Sequence, residues 1–294
     1  MFVTAIERAA QFTRPIHSIT RCWGSTSVIP GAATLFFVNS DGWALTCAHV
    51  ARQLAIADEL LAKFNQFKGE RATFPTGKKS RQLLRALEQK YGYSIGTPVE
   101  MYNNFVNCVE GSLAIEGQTH TSLDVALLHF KNFTRLLCTT FPIFARDGSS
   151  LKQGKFLCRL GFPFPEFTNF EYDSAADQIH WTQTGRLDTP QFPIEGMVTR
   201  HLLGQPGQIV GLELSTPGLR GQSGGPAFDV DGLIWGMQAA TNHLDLDFDV
   251  DMEVLRAGQK RHVRDSAFLH VGHCVHVDVL KQFMRDNGVR FQES

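Results

Sequence analysis

Gly221-Gln222-Ser223-Gly224-Gly225-Pro226 decides how this chain is read. A serine stands between glycines, just ahead of the apolar run Leu233-Ile234-Trp235-Gly236-Met237. Glycines on both sides permit turn conformations that a Cβ forbids. Such a turn can aim consecutive backbone N–H groups at one point beside the serine hydroxyl. Acyl transfer requires that pairing of a nucleophile with donors waiting for the oxyanion. Serine is a weak nucleophile until a base takes its proton. A base candidate lies at Leu45-Thr46-Cys47-Ala48-His49-Val50, and an acid candidate at Leu123-Asp124-Val125-Ala126-Leu127-Leu128.

Each residue type suits its role. An imidazole at His49 can take the hydroxyl proton and return it to a leaving amine. Asp124 heads an apolar run, where an acid is costly unless paired. An imidazole N–H is a suitable partner, which would hold His49 in the useful tautomer and stabilise the imidazolium. Asp147, Asp173 and Asp177 are weaker competitors because they lack that strand context. Ser223 is the nucleophile.

In the order His, Asp, Ser, the three segments resemble a serine peptidase of the trypsin/chymotrypsin fold. The stretch 31–50, with Phe36-Phe37-Val38-Asn39-Ser40-Asp41-Gly42 leading into Leu45-Thr46, is most similar to bacterial Deg/HtrA-type protease domains. The resemblance covers about residues 20–285. It implies an all-β fold of two six-stranded antiparallel barrels with the active site in the cleft between them. It also implies hydrolysis of protein or peptide substrates through an acyl-enzyme, with no cofactor. The Gly221 and Ser223 N–H groups would form the oxyanion hole. Pro217 would lie at the base of the primary specificity pocket, with Gln238, Ala239, Ala240 and Thr241 as its far wall. None of Pro217, Gly218 and Leu219 can pair with a Lys or Arg side chain. The expectation is cleavage after small or medium apolar residues such as Ala, Val or Leu, with His243 and Arg220 near enough to favour an acidic or amide side chain instead. Secreted relatives commonly carry a cysteine where Val50 stands and an aspartate where Gln222 stands, so neither a disulfide framework nor activation by a freshly cut N-terminus is expected.

Composition agrees with a globular enzyme. The chain has 294 residues, 43% hydrophobic and 19% charged, enough to bury a sizeable core. The net charge of -1 gives no basic footprint for nucleic acid. The opening Met1-Phe2-Val3-Thr4-Ala5-Ile6-Glu7-Arg8 has no signal-peptide pattern. No apolar run approaches the ~18 residues of a membrane span. Cys22, Cys47, Cys108, Cys138, Cys158 and Cys274 are scattered without CxxC pairs. The expectation is a cytoplasmic protein with six free thiols and no membrane partner.

The chain divides into an N-terminal helical segment (residues 1–18), a first barrel (19–140), a second barrel (141–275) and a C-terminal helix (276–294). Residues 3–12 are helical, with Pro15 as the stop. Residues 34–38 and 43–46 form a hairpin over an Asp-Gly turn, leaving His49 on a short turn past the strand end. Leu54, Ala57, Leu61 and Phe64 recur at helical spacing, and Leu83, Leu84 and Leu87 give a second helix. The 75 residues from His49 to Asp124 therefore hold a helical insertion at about 51–91. Its basic residues Lys78, Lys79, Arg81 and Arg85 read as a solvated face. Residues 107–115 and 122–130 complete the first barrel. Many short strands with Gly/Pro turns follow, as in a barrel. No PDZ-like stretch follows the last helix within these residues.

Several rival readings stay open. Gly221-Gln222-Ser223-Gly224-Gly225 also matches the nucleophile elbow of α/β-hydrolases, but that class orders its triad Ser, acid, His and leaves His49 unexplained. A protease-like binding module with idle residues, or an enzyme switched on by a protein partner, would use the insertion or Phe162, Phe164, Phe167 and Phe170 as docking surfaces. His270-Val271-Gly272-His273-Cys274-Val275-His276 has zinc-ligand residue types, yet only alternate side chains of a strand share a face. The alternating residues 244–253 place all their carboxylates on one face of a ribbon; calcium would need a converging loop. No metal is expected.

Overall fold

Turn chemistry sets the first hairpin. The computed structural model describes residues 1–205 and 207–294, with the Lys78 and Asp265 side chains outside the description. Its first half runs α1 (Val3–Phe12), β1 (Thr13–Cys22), β2 (Val28–Phe37), β3 (Trp43–Thr46), α2 (Ala48–Ala72), α3 (Lys78–Tyr91), β4 (Pro98–Phe105), β5 (Val109–Thr119) and β6 (Ala126–Leu136). Between β2 and β3, the Asn39 side chain accepts the Asp41 N–H at 3.0 Å, and Gly42 takes φ +86°. A Cβ at Gly42 would meet the Phe130 carbonyl oxygen at 2.5 Å, so glycine is needed there twice over. The strands pair in the order β4-β1-β2-β3-β6-β5, a six-stranded barrel-like sheet.

Two local expectations change. Helix α1 ends at Phe12, three residues before Pro15, and Pro15 lies within β1 opposite Thr34. The chain there is already extended, and a proline needs only a position where its missing N–H is not used. Helix α2 begins at Ala48, so His49 sits in the first turn of a 25-residue helix rather than on a short turn. Residues 73–77 link α2 to α3. Lys79, Arg81 and Arg85 are exposed on α3; Lys78 falls outside the described side chains.

The second half runs β7 (Ile143–Phe144), β8 (Phe156–Gly161), β9 (Phe170–Asp173), β10 (Gln178–Trp181), β11 (Phe192–Leu203), β12 (Ile209–Leu214), β13 (Pro226–Phe228), β14 (Leu233–Arg256), β15 (Gln259–His276), α4 (Val277–Asp286) and β16 (Gln292–Glu293). Its sheet order is β13-β8-β11-β12-β15-β14-β7-β16, with β13 pairing also to β14. That extra pairing closes β13, β8, β11, β12, β15 and β14 into a six-stranded barrel, which removes their free edges. Strands β7 and β16 add in parallel outside it. The fold is thus mostly β, two barrels with helices inserted in the first and packed after the second, as expected from the sequence. It is not an α/β-hydrolase.

Strict alternation over residues 244–253 does not survive. The pairing of β14 with β15 slips between Asp245 and Asp249, and Asp247 takes φ +55°. A bulge inserts unpaired residues and so re-aims the side chains beyond it. Asp249, Asp251 and Glu253 then pair across the ribbon with Arg264, His262 and Lys260 at 3.2, 2.6 and 3.2 Å.

One hydrophobic core joins both barrels, with Phe36, Leu127, Phe144, Leu160, Ile234 and Leu280 among its buried members. A second cluster lies under the insertion, where Phe64, Phe67, Leu87, Tyr91 and Tyr93 pack with Trp23. Burying each such side chain is worth about 1.5–3 kcal/mol. Of the phenylalanine run, Phe162 and Phe167 are buried while Phe164 is exposed and meets Phe192 edge-on. No described helix is long and apolar enough to cross a membrane.

Candidate active site

Strand β3 ends at Thr46, Cys47 caps α2, and the helix's first turn presents His49. The turn before β6 presents Asp124. The Asp124 carboxylate takes the His49 backbone N–H at 2.9 Å on one oxygen and meets His49 Nδ1 at 2.7 Å with the other. Burial alone would raise the Asp124 carboxyl. The side-chain and backbone hydrogen bonds from His49 outweigh it and hold the group below the usual carboxylate range. With Nδ1 committed to Asp124, Nε2 is the nitrogen left to face the cleft. The competing carboxylates are used elsewhere: Asp147 caps a short 3-10 turn, Asp173 accepts the Ala175 N–H, and Asp177 pairs with Arg21.

Ser223 sits on the turn between β12 and β13. Gly221 has φ +97° and Gly224 φ +89°. A Cβ at Gly224 would approach the Thr34 carbonyl oxygen to 2.1 Å, so the turn can lie this close to the first barrel only with glycine there. Gln222 is fully buried and staples the turn: it accepts the Leu219 N–H at 3.0 Å and donates to the Phe192 carbonyl at 2.9 Å. The Gly224 and Gly225 N–H groups are satisfied by Gln238 and Gln222 carbonyls. Among the described residues, the Gly221 and Ser223 N–H groups have no such acceptor. Two N–H groups without a protein acceptor, on residues that line a cavity beside a serine, suit an incoming oxyanion.

His49 and Ser223 line one cavity of about 570 Å³. They are not hydrogen-bonded to each other among the described residues: Ser223 Oγ donates to the Ala239 carbonyl at 3.4 Å. Pro217, Gln238, Ala239, Ala240 and Thr241 surround a second cavity of about 440 Å³ that also reaches Ser223, Arg220, His243 and His270. Thr241 Oγ1 donates to the Gly218 carbonyl at 2.6 Å, tying two walls together.

Two residues behind the site escape a reading of motifs. Thr34 Oγ1 donates to the Gly221 carbonyl at 2.7 Å and accepts the Phe162 N–H at 3.2 Å. Nothing distinguishes that threonine in the sequence. Arg159 is fully buried, donating to Gln238 Oε1 at 2.7 Å and to the Thr216 carbonyl at 3.0 Å, and burial lowers its pKa. A charged residue flanked by Phe156, Leu157, Cys158 and Leu160 was its signal. The zinc-like segment 270–276 lies wholly in β15, with His276 also the N-cap of α4. The described residues that come within mutual metal-binding reach are Cys47, His49 and Asp124 instead. Cys47 is buried, and burial with the neighbouring Asp124 charge pushes its thiol well up, so a deprotonated sulfur ligand is disfavoured there.

Two antiparallel barrels with a His–Asp pair and a glycine-bound serine in the cleft define the class of chymotrypsin-fold proteins. A family model described as Trypsin-like peptidase domain matches residues 33–237, more than half of the sequence, and the chain belongs to that family of serine peptidases. An HtrA-type protease solved with a tripeptide, AlgW in a serine-to-alanine form, is similar in structure with a TM-score of 0.50 at 11% identity. The match covers 97% of this chain and 63% of that one, so the chain spans less than two thirds of that protein's length. No curated protein sequence matches.

Proposed function

We propose that this protein hydrolyses peptide bonds through an acyl-enzyme, with Ser223 as nucleophile, His49 as general base and then acid, and Asp124 as the group that orients His49. The observation that carries the reading is the 2.7 Å contact of His49 Nδ1 with Asp124, on the wall of a cavity that Ser223 also lines. Rotation of the Ser223 side chain away from Ala239 brings Oγ towards His49 Nε2. His49 takes the proton as Oγ attacks the scissile carbonyl, and the oxyanion receives the Gly221 and Ser223 N–H groups. The imidazolium then gives its proton to the leaving amine, and water repeats the cycle on the ester.

The cavity beside Gln238–Thr241 is the proposed seat of the residue before the scissile bond. Ala239, Ala240, Leu219 and Pro217 make it small and apolar, which suits Ala, Val or Leu. No carboxylate lines it among the described residues, so a Lys or Arg side chain would be buried unpaired. Arg220, His243 and His270 at its edge favour a second reading, an acidic side chain there.

The Ser223–Ala239 hydrogen bond favours a second reading of regulation, in which a peptide or protein partner turns the serine towards His49. A fluorophosphonate probe tests both levels. Labelling of Ser223 that disappears in Ser223→Ala supports the enzyme; labelling that appears only with added peptide supports the switch. No labelling under either condition sinks the catalytic reading.

A further inference from the structure

Two cavities meet at Ser223, and of their lining residues they share only Ser223 and Arg220. The one bounded by Gln238–Thr241 belongs to the acyl half of the substrate on the reading above. The other holds His49 and Gly221 but none of those wall residues. His49 must hand its proton to the departing amine, so the amine half lies on the His49 side. The larger cavity, about 570 Å³, is therefore the site for the residues that follow the scissile bond.

Its chemistry is one-sided. Ile16 from β1, Ala32 from β2, Leu54 from α2, Met101 from β4 and Pro163 after β8 supply carbon walls. Its polar lining is uncharged, such as Gln53 and Asn103, apart from His49 itself and Arg220. Arg220 stands on the ridge shared by both cavities. The α2 wall is contributed by the insertion, because the helix that presents His49 carries Val50, Gln53 and Leu54 along the same side. A volume in this range is typical of a binding site that encloses its ligand.

We propose that the insertion makes this protein selective on the leaving side: the cavity takes a bulky apolar side chain, of Leu, Met or Phe type, from the residue directly after the scissile bond. The proposal rests on the acyl-enzyme reading and adds where the chain's discrimination lies. Burial of such a side chain against Ala or Gly corresponds to about 10- to 100-fold in rate. Charged side chains gain nothing from carbon walls and lose hydration on entering.

Partitioning of the acyl-enzyme isolates this side. One ester with a fixed acyl group is supplied with amino-acid amides as competing nucleophiles, and the ratio of new peptide to hydrolysed acid is measured. The amine attacks the acyl carbonyl, loses its proton to His49 and releases Ser223, which is the reverse of amine departure. Leucine and phenylalanine amides should exceed glycine and aspartate amides by about 10- to 100-fold. Leu54→Glu should erase that preference and Leu54→Ala should shrink it. A flat ratio across the amides with the wild-type protein, or a preference for aspartate amide, overturns the proposal while leaving the acyl-enzyme intact. Failure of any ester or fluorophosphonate to acylate Ser223 overturns both readings.

Discussion

The Thr34 N–H donates to the Ser223 carbonyl at 3.0 Å, so a strand of the first barrel holds the backbone of Ser223 itself. The same residue's hydroxyl holds the Gly221 carbonyl and the Phe162 N–H. Thr34→Val keeps the shape and removes the hydroxyl, leaving buried polar groups unpaired at a cost of about 1–3 kcal/mol. With the Gly221–Gln222 peptide freed, the turn that would aim the Gly221 N–H at an oxyanion loosens. The expected outcome is a fall in kcat of about 10- to 100-fold with KM little changed. Thr34→Ser should recover most of it. Steady-state kinetics alongside thermal melts would check this; wild-type kcat in Thr34→Val would show that the strand does not position the turn.

Removal of the triad tests the mechanism directly. Ser223→Ala, His49→Ala and Asp124→Ala should each nearly abolish hydrolysis, and the losses should not add, because the three act as one unit. Asp124→Asn keeps the size but favours the wrong His49 tautomer, so a loss of about 10⁴-fold in kcat is expected. A double variant slower by the product of its single losses would contradict a concerted role.

A second histidine is expected to contribute to the pH dependence of stability. His17 is buried, stacked on Phe167 at 4.0 Å and hydrogen-bonded to Thr189 at 2.8 Å. Burial lowers its pKa from 6.5 to about 4, with Asp188 offsetting part of the effect. Between those values the unfolded chain binds a proton that the folded one does not, so stability falls as pH drops from 6.5 towards 4. The loss is about 3 kcal/mol at its fullest. Urea melts across that range should show a weaker pH slope in His17→Gln than in the wild type; identical slopes would remove His17 as a source.

All six cysteines are free, and only Cys22 is not buried. Burial pushes the Cys158 thiol up to about 12 and those of Cys138 and Cys274 up to about 11. Ellman's reagent on the native protein should therefore find one fast thiol, and the other five only after unfolding. Six fast thiols would contradict the buried placement.

How much could be read in advance differs by element. The hairpin carrying β2 and β3 was legible because Asn39, Asp41 and Gly42 specify a turn locally. The His49, Asp124 and Ser223 segments could be singled out because each chemistry demands a narrow choice of residue. Where local and distant determinants conflict, reading fails. Residues 48–50 look like a strand exit, yet they begin α2, because the helix is selected by Phe64 and Phe67 finding Trp23, Tyr91 and Tyr93. The bulge at Asp247 depends on how β15 pairs with β14, which no period in β14 alone encodes. The bond from Ser223 Oγ to Ala239 joins segments sixteen positions apart, and its geometry follows from barrel closure.

Helix α2 is 25 residues long, about 37 Å of stiff rod, with His49 at one end and an aromatic anchor towards the other. A rod clamped at its distal part limits the tilt of its tip. His49 is held at its own end by Asp124 and by Val50 and Ala51 in the main core, and the far end of its helix is steadied by the second cluster. Activity and barrel integrity can then come apart: heating that melts the Trp23–Phe67–Tyr93 anchor would let the rod tilt about its His49 end while both barrels still stand. Inactivation should accordingly come at a lower temperature than the loss of β structure, with the interval widened by any substitution that thins the anchor.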